Sequence, residues 1–165
     1  MTAKQIDNDN KKKYDQIGGW LIICAIGLAL YPLQAAVSIY TEILPALSSE
    51  NWSRFTVPSS ISYHPLWAPL LIAELIGNGC FLILSTCVVV YFFKQRKFVP
   101  RLAIIFLASN FIFVSLDCYF TQVILATTDP TNMGPIINFV RTLVASIIWI
   151  AYFLFSKRVK KTFTR

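Results

Sequence analysis

Residues 66–93 read LWAPLLIAELIGNGCFLILSTCVVVYFF, a nearly continuous apolar run with one charged side chain, Glu74. A helix of about 20 apolar residues is long enough to cross the roughly 30 Å hydrocarbon core of a membrane. The sequence therefore predicts an all-α integral membrane four-helix bundle in one domain. The predicted spans are residues 17–40, 66–93, 101–126 and 135–155, within a single transmembrane domain at 17–156.

The composition of the whole chain agrees with this prediction. Of its 165 residues, 56% are hydrophobic and only 14% are charged, which is too little polar surface to cover a soluble globule of this size. The net charge is +7, but the basic residues flank the apolar runs and form no stripe among exposed aromatic residues. Anionic lipid headgroups are therefore the expected partner of these charges, and nucleic acid is not.

The distribution of Lys and Arg predicts the orientation. All but two of the 15 basic residues lie in a leader at 1–16, a junction at 94–101 and a C-terminal stub at 157–165. Short loops rich in Lys and Arg stay in the cytoplasm, so both termini are expected to be cytoplasmic. A basic leader before an apolar run is also typical of a secretory signal, and Ala36 and Ser38 are small residues suited to cleavage. We favour a retained first span, and the other three spans keep their orientation in either case.

Three ionisable residues lie inside the predicted spans. Glu74, Asp117 and Arg141 would each cost roughly 2.5 to 3.5 kcal/mol at the centre of a lipid-facing helix, so they are expected to face protein or water. At 1.5 Å per residue, they lie about 12, 13 and 9 Å from the outer ends of their spans, in one layer. We expect Arg141 to be held between the two acids. The amide residues predicted to complete this intramembrane polar cluster are Asn78, Asn110, Asn138 and Gln34.

Two acids facing one Arg leave a surplus negative charge, which admits two interpretations. One acid carries a proton and the cluster only fixes the helix register, which makes the protein a small structural or accessory component of the membrane. Alternatively, the layer serves a proton-coupled or small-polar-ligand carrier or sensor. The sequence alone favours the first interpretation.

Aromatic residues of the segment 41–65 and of the span ends are typical of an interfacial belt, although a ligand-gating lid is an alternative. The predicted interfacial residues are Trp20, Trp52, Tyr63, His64 and Trp67. The C-terminal stub is predicted to contact lipid headgroups through Lys157, Arg158, Lys160 and Lys161. A docking site for a second copy of the chain or for another membrane protein is the alternative for this stub.

Catalytic chemistry has little support in the sequence. His64 is the only histidine, and no nucleophile motif, phosphate-binding loop, dinucleotide fingerprint or metal-ligand spacing accompanies it. The four cysteines fall inside spans, where Cys usually packs as a small hydrophobe. We therefore expect no enzymatic activity, no cofactor and no metal site.

Three segments carry a resemblance to a known family. They are IGGWL at 17–21, YHPLWAP at 63–69 followed by Glu74, and SKRVK at 156–160. Together they resemble the bacterial membrane family catalogued as domain-of-unknown-function 2569, over nearly the whole chain from Ile17. The resemblance implies a four-span protein of a bacterial inner membrane whose first span is retained. It implies no activity, because none is assigned to the family.

Overall fold

The computed structural model describes residues 18–164. The predicted leader at 1–16, together with Ile17 and Arg165, lies outside the described residues. The described part of the chain is helical and contains no strand. Its helices are α1 (Trp20–Ser38), a π-helical turn (Ile39–Ile43), α2 (Leu44–Ala46), α3 (Ser49–Thr56), α4 (Trp67–Phe93), α5 (Val99–Thr128), α6 (Gly134–Phe155) and α7 (Lys157–Thr162).

Four helical segments are long and apolar enough to cross a membrane, which confirms the predicted fold class. They are Trp20–Ala46, Trp67–Phe93, Val99–Thr128 and Gly134–Phe155. Between 11% and 22% of the most apolar window of each segment is buried inside the protein, so most of these apolar side chains face outward. Lipid is the environment that accepts such a surface.

The first span differs from its predicted bounds. The helix does not end near Tyr40 but continues through the π-helical turn and α2 to Ala46. Ile43 is only 3% exposed, and burying it against the bundle favours continued helix at this position. The segment 41–65, which separates the first two predicted spans, therefore begins as a continuation of the first helix and also contains α3.

The four long helices form an arc. α1 packs against α4, α4 against α5, and α5 against α6, whereas α1 and α6 share no extensive interface. We call the end of the bundle near residues 18 and 164 the terminal end, and the opposite end the loop end. The largest core cluster lies at the terminal end and includes Leu21, Leu28, Val88, Phe92, Val99, Phe106 and Phe153.

The short helix α7 closes the terminal end. The helical path is interrupted at Ser156, between α6 and α7. The Ser156 hydroxyl accepts a hydrogen bond from the N–H of Val159 and caps α7. Val159 and Phe163 are almost fully buried, and the Phe163 ring lies 5.2 Å from that of Phe92. The guanidinium of Arg158 packs against Gly19, where a Cβ atom would lie 3.2 Å from Nη1. The predicted basic stub thus anchors itself in the bundle through its apolar residues.

Candidate functional site

A cavity of about 1220 Å³ occupies the bundle between α1, α4, α5 and α6. We call it the polar cavity. Asn110 and Glu74 mark its middle layer, and Asn138 on α6 and Trp67 on α4 lie nearer the loop end. Every residue of the predicted polar cluster lines it, namely Glu74, Asp117, Arg141, Asn78, Asn110, Asn138 and Gln34.

The two acids of the spans meet across the contact between α4 and α5. The carboxyl groups of Glu74 and Asp117 lie near each other, and both line the polar cavity. Two ionised carboxylates only accept hydrogen bonds and repel each other, so a proton shared by the pair is a hypothesis that we test below. Asn78 stabilises the same helical turn, because its amide nitrogen donates a 2.9 Å hydrogen bond to the backbone carbonyl of Glu74.

Arg141 does not adopt the predicted arrangement. The sequence led us to expect its guanidinium between Glu74 and Asp117, but it forms no ion pair with either acid. Arg141 instead lines the polar cavity from α6, which packs on α5 and lacks an extensive interface with α1. Equal depth in the membrane did not imply contact, because the cavity separates the guanidinium from the acids.

Glu42 is a third acid of the site, and sequence reasoning missed it. The π-helical turn continues the first span past Ser38, so Glu42 lines the polar cavity and does not lie in a loop. Its Oε2 atom accepts a 2.6 Å hydrogen bond from the Ser38 hydroxyl. A π-helical turn inside a longer helix is frequently found at functional sites. The spacing of four residues between Ser38 and Glu42 was the available signal, because such residues share a helix face.

Tyr31 is a second residue that the sequence analysis did not single out. Its hydroxyl donates a 2.6 Å hydrogen bond to Oδ1 of Asn110, which joins α1 to α5. Its ring also packs edge-on against Phe106 at 4.9 Å. Tyr31 and Gln34 are three residues apart and line the same cavity, a spacing that could have marked this polar face of α1.

Several polar atoms of the cavity wall have no partner in the described part of the chain. Oδ1 of Asp117 and Nε1 of Trp67 are buried without a hydrogen bond. Asn110 is 9% exposed, and its amide nitrogen donates no hydrogen bond to a described residue. Buried polar groups are nearly always hydrogen-bonded in native proteins, so these atoms are exceptions at the edge of the polar cavity.

The predicted interfacial residues fall into different surroundings. Trp20 is 69% exposed at the start of α1, as an interfacial residue would be. Nδ1 of His64 accepts a 3.2 Å hydrogen bond from the N–H of Leu66, in the turn that precedes α4. Trp67 lines the polar cavity and lies 5.0 Å from the ring of Phe55 on α3. Trp52 and Tyr63 are half-buried.

Among residues 18–164, no group of three or more His, Cys, Asp or Glu side chains is arranged to hold a metal ion.

The chain matches a family described as a protein of unknown function (DUF2569), over residues 14–164. The chain belongs to this family. Its DUF2569 region includes all four spans and every residue of the polar cavity named above. No curated protein and no solved structure matched the chain. It is thus a DUF2569 protein with four helices that are long and apolar enough to cross a membrane, as the sequence predicted.

Proposed function

We propose that this protein is a non-enzymatic receptor of the membrane that binds a small polar or amphipathic ligand in the polar cavity, as a carrier component or a sensor. The observation that carries the proposal is the cavity itself, which is lined by three acids, an unpaired Arg141 and several amide side chains. Binding cavities for small molecules usually measure roughly 300 to 1,000 Å³, so this one is large enough.

A purely structural role accounts for only part of the polar layer. Tyr31 with Asn110, and Glu74 with Asp117, bridge neighbouring helices and stabilise their register. Arg141 and Asn138 bridge nothing in the described part of the chain, although both line the cavity. An unpaired charge in a membrane protein is costly to keep and typically marks a binding or transport site. A binding role therefore accounts for Arg141 and Asn138, which a role in helix packing does not explain.

The cellular setting forms part of the proposal. We place the protein in a bacterial inner membrane with both termini in the cytoplasm, because the basic residues flank the terminal end of the bundle. Lys157, Arg158, Lys160 and Lys161 then face the anionic headgroups of the inner leaflet. The sparsely packed outer faces of α1 and α6 are where a second copy or another membrane protein would bind.

Filling the cavity tests the proposal. Gly27 lines the polar cavity, and a Cβ atom built there meets nothing within 4 Å, so Gly27→Phe begins a bulky side chain in open space at the cavity wall. Gly79 on α4 has equally open space outside the cavity wall, so Gly79→Phe is the matched control. We expect native mass spectrometry of protein extracted gently from membranes to reveal a bound small molecule or lipid. Gly27→Phe should lose it and Gly79→Phe should retain it.

Two results would overturn the proposal. One is wild-type protein that carries no bound mass, even after incubation with a total lipid and metabolite extract of the membrane source. The other is an adduct that both phenylalanine variants retain equally, which would place the bound molecule on the outer surface of the bundle.

A further inference from the structure

The charges around the polar cavity are divided between its walls. The acids Glu42, Glu74 and Asp117 belong to the first span, α4 and α5, whereas Arg141 belongs to α6. Arg141 is the one basic residue among the described residues that line the cavity. No ion pair joins it to Glu74 or Asp117, so neither sign of charge is neutralised across the volume.

A ligand with a single charge would satisfy only one side of this arrangement. A cation at the acid pair would leave Arg141 unpaired, and an anion at Arg141 would leave the Glu74 and Asp117 pair without a counter-charge, whereas Glu42 already accepts a hydrogen bond from Ser38. Because unpaired charges in a low dielectric are expensive, the best complement carries both signs. With one shared proton, the Glu74 and Asp117 pair carries one negative charge, which matches one ammonium group.

The polar side chains of the wall fit the same ligand. The carboxylate oxygens of Glu74 and Asp117 are acceptors and are suited to an ammonium N–H. Arg141 and the amide group of Asn110 supply N–H donors, which are suited to anionic oxygens or to a ligand carbonyl. Both kinds of hydrogen-bonding group are therefore present in one cavity.

The side of the cavity gives a route from the membrane. Leu30, Leu33 and Val37 line the polar cavity and yet are 47%, 63% and 59% exposed, so this apolar rim of α1 is open. Facing it, α6 shares no extensive interface with α1. An apolar chain can lie in such an opening while a polar group reaches the charged layer.

Resting on the proposed binding function, we infer that the ligand is a zwitterion with an ammonium group at the Glu74 and Asp117 pair and an anionic group at Arg141. The aminophospholipid headgroup, with a primary ammonium beside a phosphate, has this chemistry, and so does the same headgroup free in solution. The lateral opening serves the lipid form, and the experiment separates the two sources.

The test uses purified full-length protein in nanodiscs that contain equal amounts of phosphatidylethanolamine and phosphatidylglycerol, followed by native mass spectrometry of the released protein. We expect phosphatidylethanolamine to be retained about tenfold over phosphatidylglycerol. Arg141→Gln should reduce retention of phosphatidylethanolamine about tenfold, because it removes a charged hydrogen-bond donor. Arg54→Gln, at an exposed basic residue of α3 outside the cavity, is the matched control and should change nothing.

Variants of Glu74 and Asp117 test the position proposed for the ammonium group. Glu74→Gln combined with Asp117→Asn should remove the preference for phosphatidylethanolamine, and Glu50→Gln on α3 should preserve it. Arg141→Lys keeps the positive charge and should retain the preference, which separates loss of binding from loss of folding. Displacement of the bound lipid by glycerophosphoethanolamine identifies a free zwitterion as the ligand source, and persistence of the lipid identifies the membrane as that source.

Equal retention of both lipids, preference for phosphatidylglycerol, or preference unchanged by Arg141→Gln and by the acid double variant would overturn the zwitterion assignment. If an adduct of another class is then lost in Gly27→Phe but not in Gly79→Phe, the binding function stands and only the ligand class is wrong. If no adduct responds to Gly27→Phe, the binding function itself fails.

Discussion

Tyr31 on α1 donates a 2.6 Å hydrogen bond to the side chain of Asn110 on α5. The backbones of these two helices share no extensive interface. This contact ties the two helices together inside the polar cavity, which both residues line. Asn110 is only 9% exposed, so without the Tyr31 hydroxyl its Oδ1 atom would be left without a hydrogen bond.

We expect Tyr31→Phe to lower the free energy of unfolding by about 0.5 to 1.5 kcal/mol, because it removes the donor and keeps the ring against Phe106. Tyr40 is 75% exposed, so Tyr40→Phe is the control and should change stability by no more than about 0.5 kcal/mol. Equilibrium unfolding in mixed micelles measures both. Equal effects of the two substitutions would show that the hydrogen bond contributes nothing measurable.

Gly77 and Gly79 offer a test of the packing between α4 and α5. A Cβ atom on Gly77 would overlap the ring of Phe113, whereas one on Gly79 meets nothing within 4 Å. Gly77→Ala should therefore destabilise the protein by about 1 to 3 kcal/mol. Gly79→Ala should be neutral or stabilise it by up to about 1 kcal/mol, because Ala favours the helix. Thermal unfolding of the two variants checks the difference, and a stable Gly77→Ala protein would contradict this packing of Phe113.

The Glu74 and Asp117 contact predicts a proton that spectroscopy can detect. At neutral pH, infrared spectra should contain the C=O stretching band of a protonated carboxyl group, because two ionised carboxylates cannot hydrogen bond to each other. Glu74→Gln and Asp117→Asn should each alter or remove this band. Glu50→Gln, at the exposed helix α3, should leave it intact. A spectrum without the band would mean that the two carboxyl groups are not in contact.

The anchoring of α7 predicts an unequal effect of two neighbouring phenylalanines. Phe163 is 5% exposed and packs on Phe92, so Phe163→Ala should lower the free energy of unfolding by about 3 kcal/mol or more. Phe155, at the end of α6, is 79% exposed, and Phe155→Ala should cost no more than about 0.5 kcal/mol. Denaturation in detergent measures both values. A harmless Phe163→Ala would indicate that α7 does not close the bundle.

The proposed orientation predicts the side of the membrane on which each segment is labelled. In a chain whose four cysteines are replaced by serine, Ser59→Cys in the segment between α3 and α4 should react with an impermeant maleimide added to intact cells. Gln95→Cys, between α4 and α5, should react only after the membrane is opened. The reverse pattern would place both termini outside the cytoplasm.

The sequence predicted the number and type of helices because length and hydropathy alone determine whether a segment can cross a membrane. The polar residues that it grouped into one cluster all line the polar cavity, since charged groups such as Glu74 avoid lipid. It did not predict Glu42, because nothing in residues 39–43 signals a π-helical turn. It misjudged Arg141, because depth along the membrane normal says nothing about lateral separation between helices.

The polar cavity is closed at its terminal end by a plug of aromatic rings. Phe92, Phe153 and Phe163 belong to the packed core there, and α7 covers it. Within the described residues, these rings separate the polar cavity from the terminal end, whereas Asn132 and Gly134 line it at the loop end and Leu33 lines it at the side. A bound molecule would therefore exchange through the side or the loop end of the bundle and not past the aromatic rings.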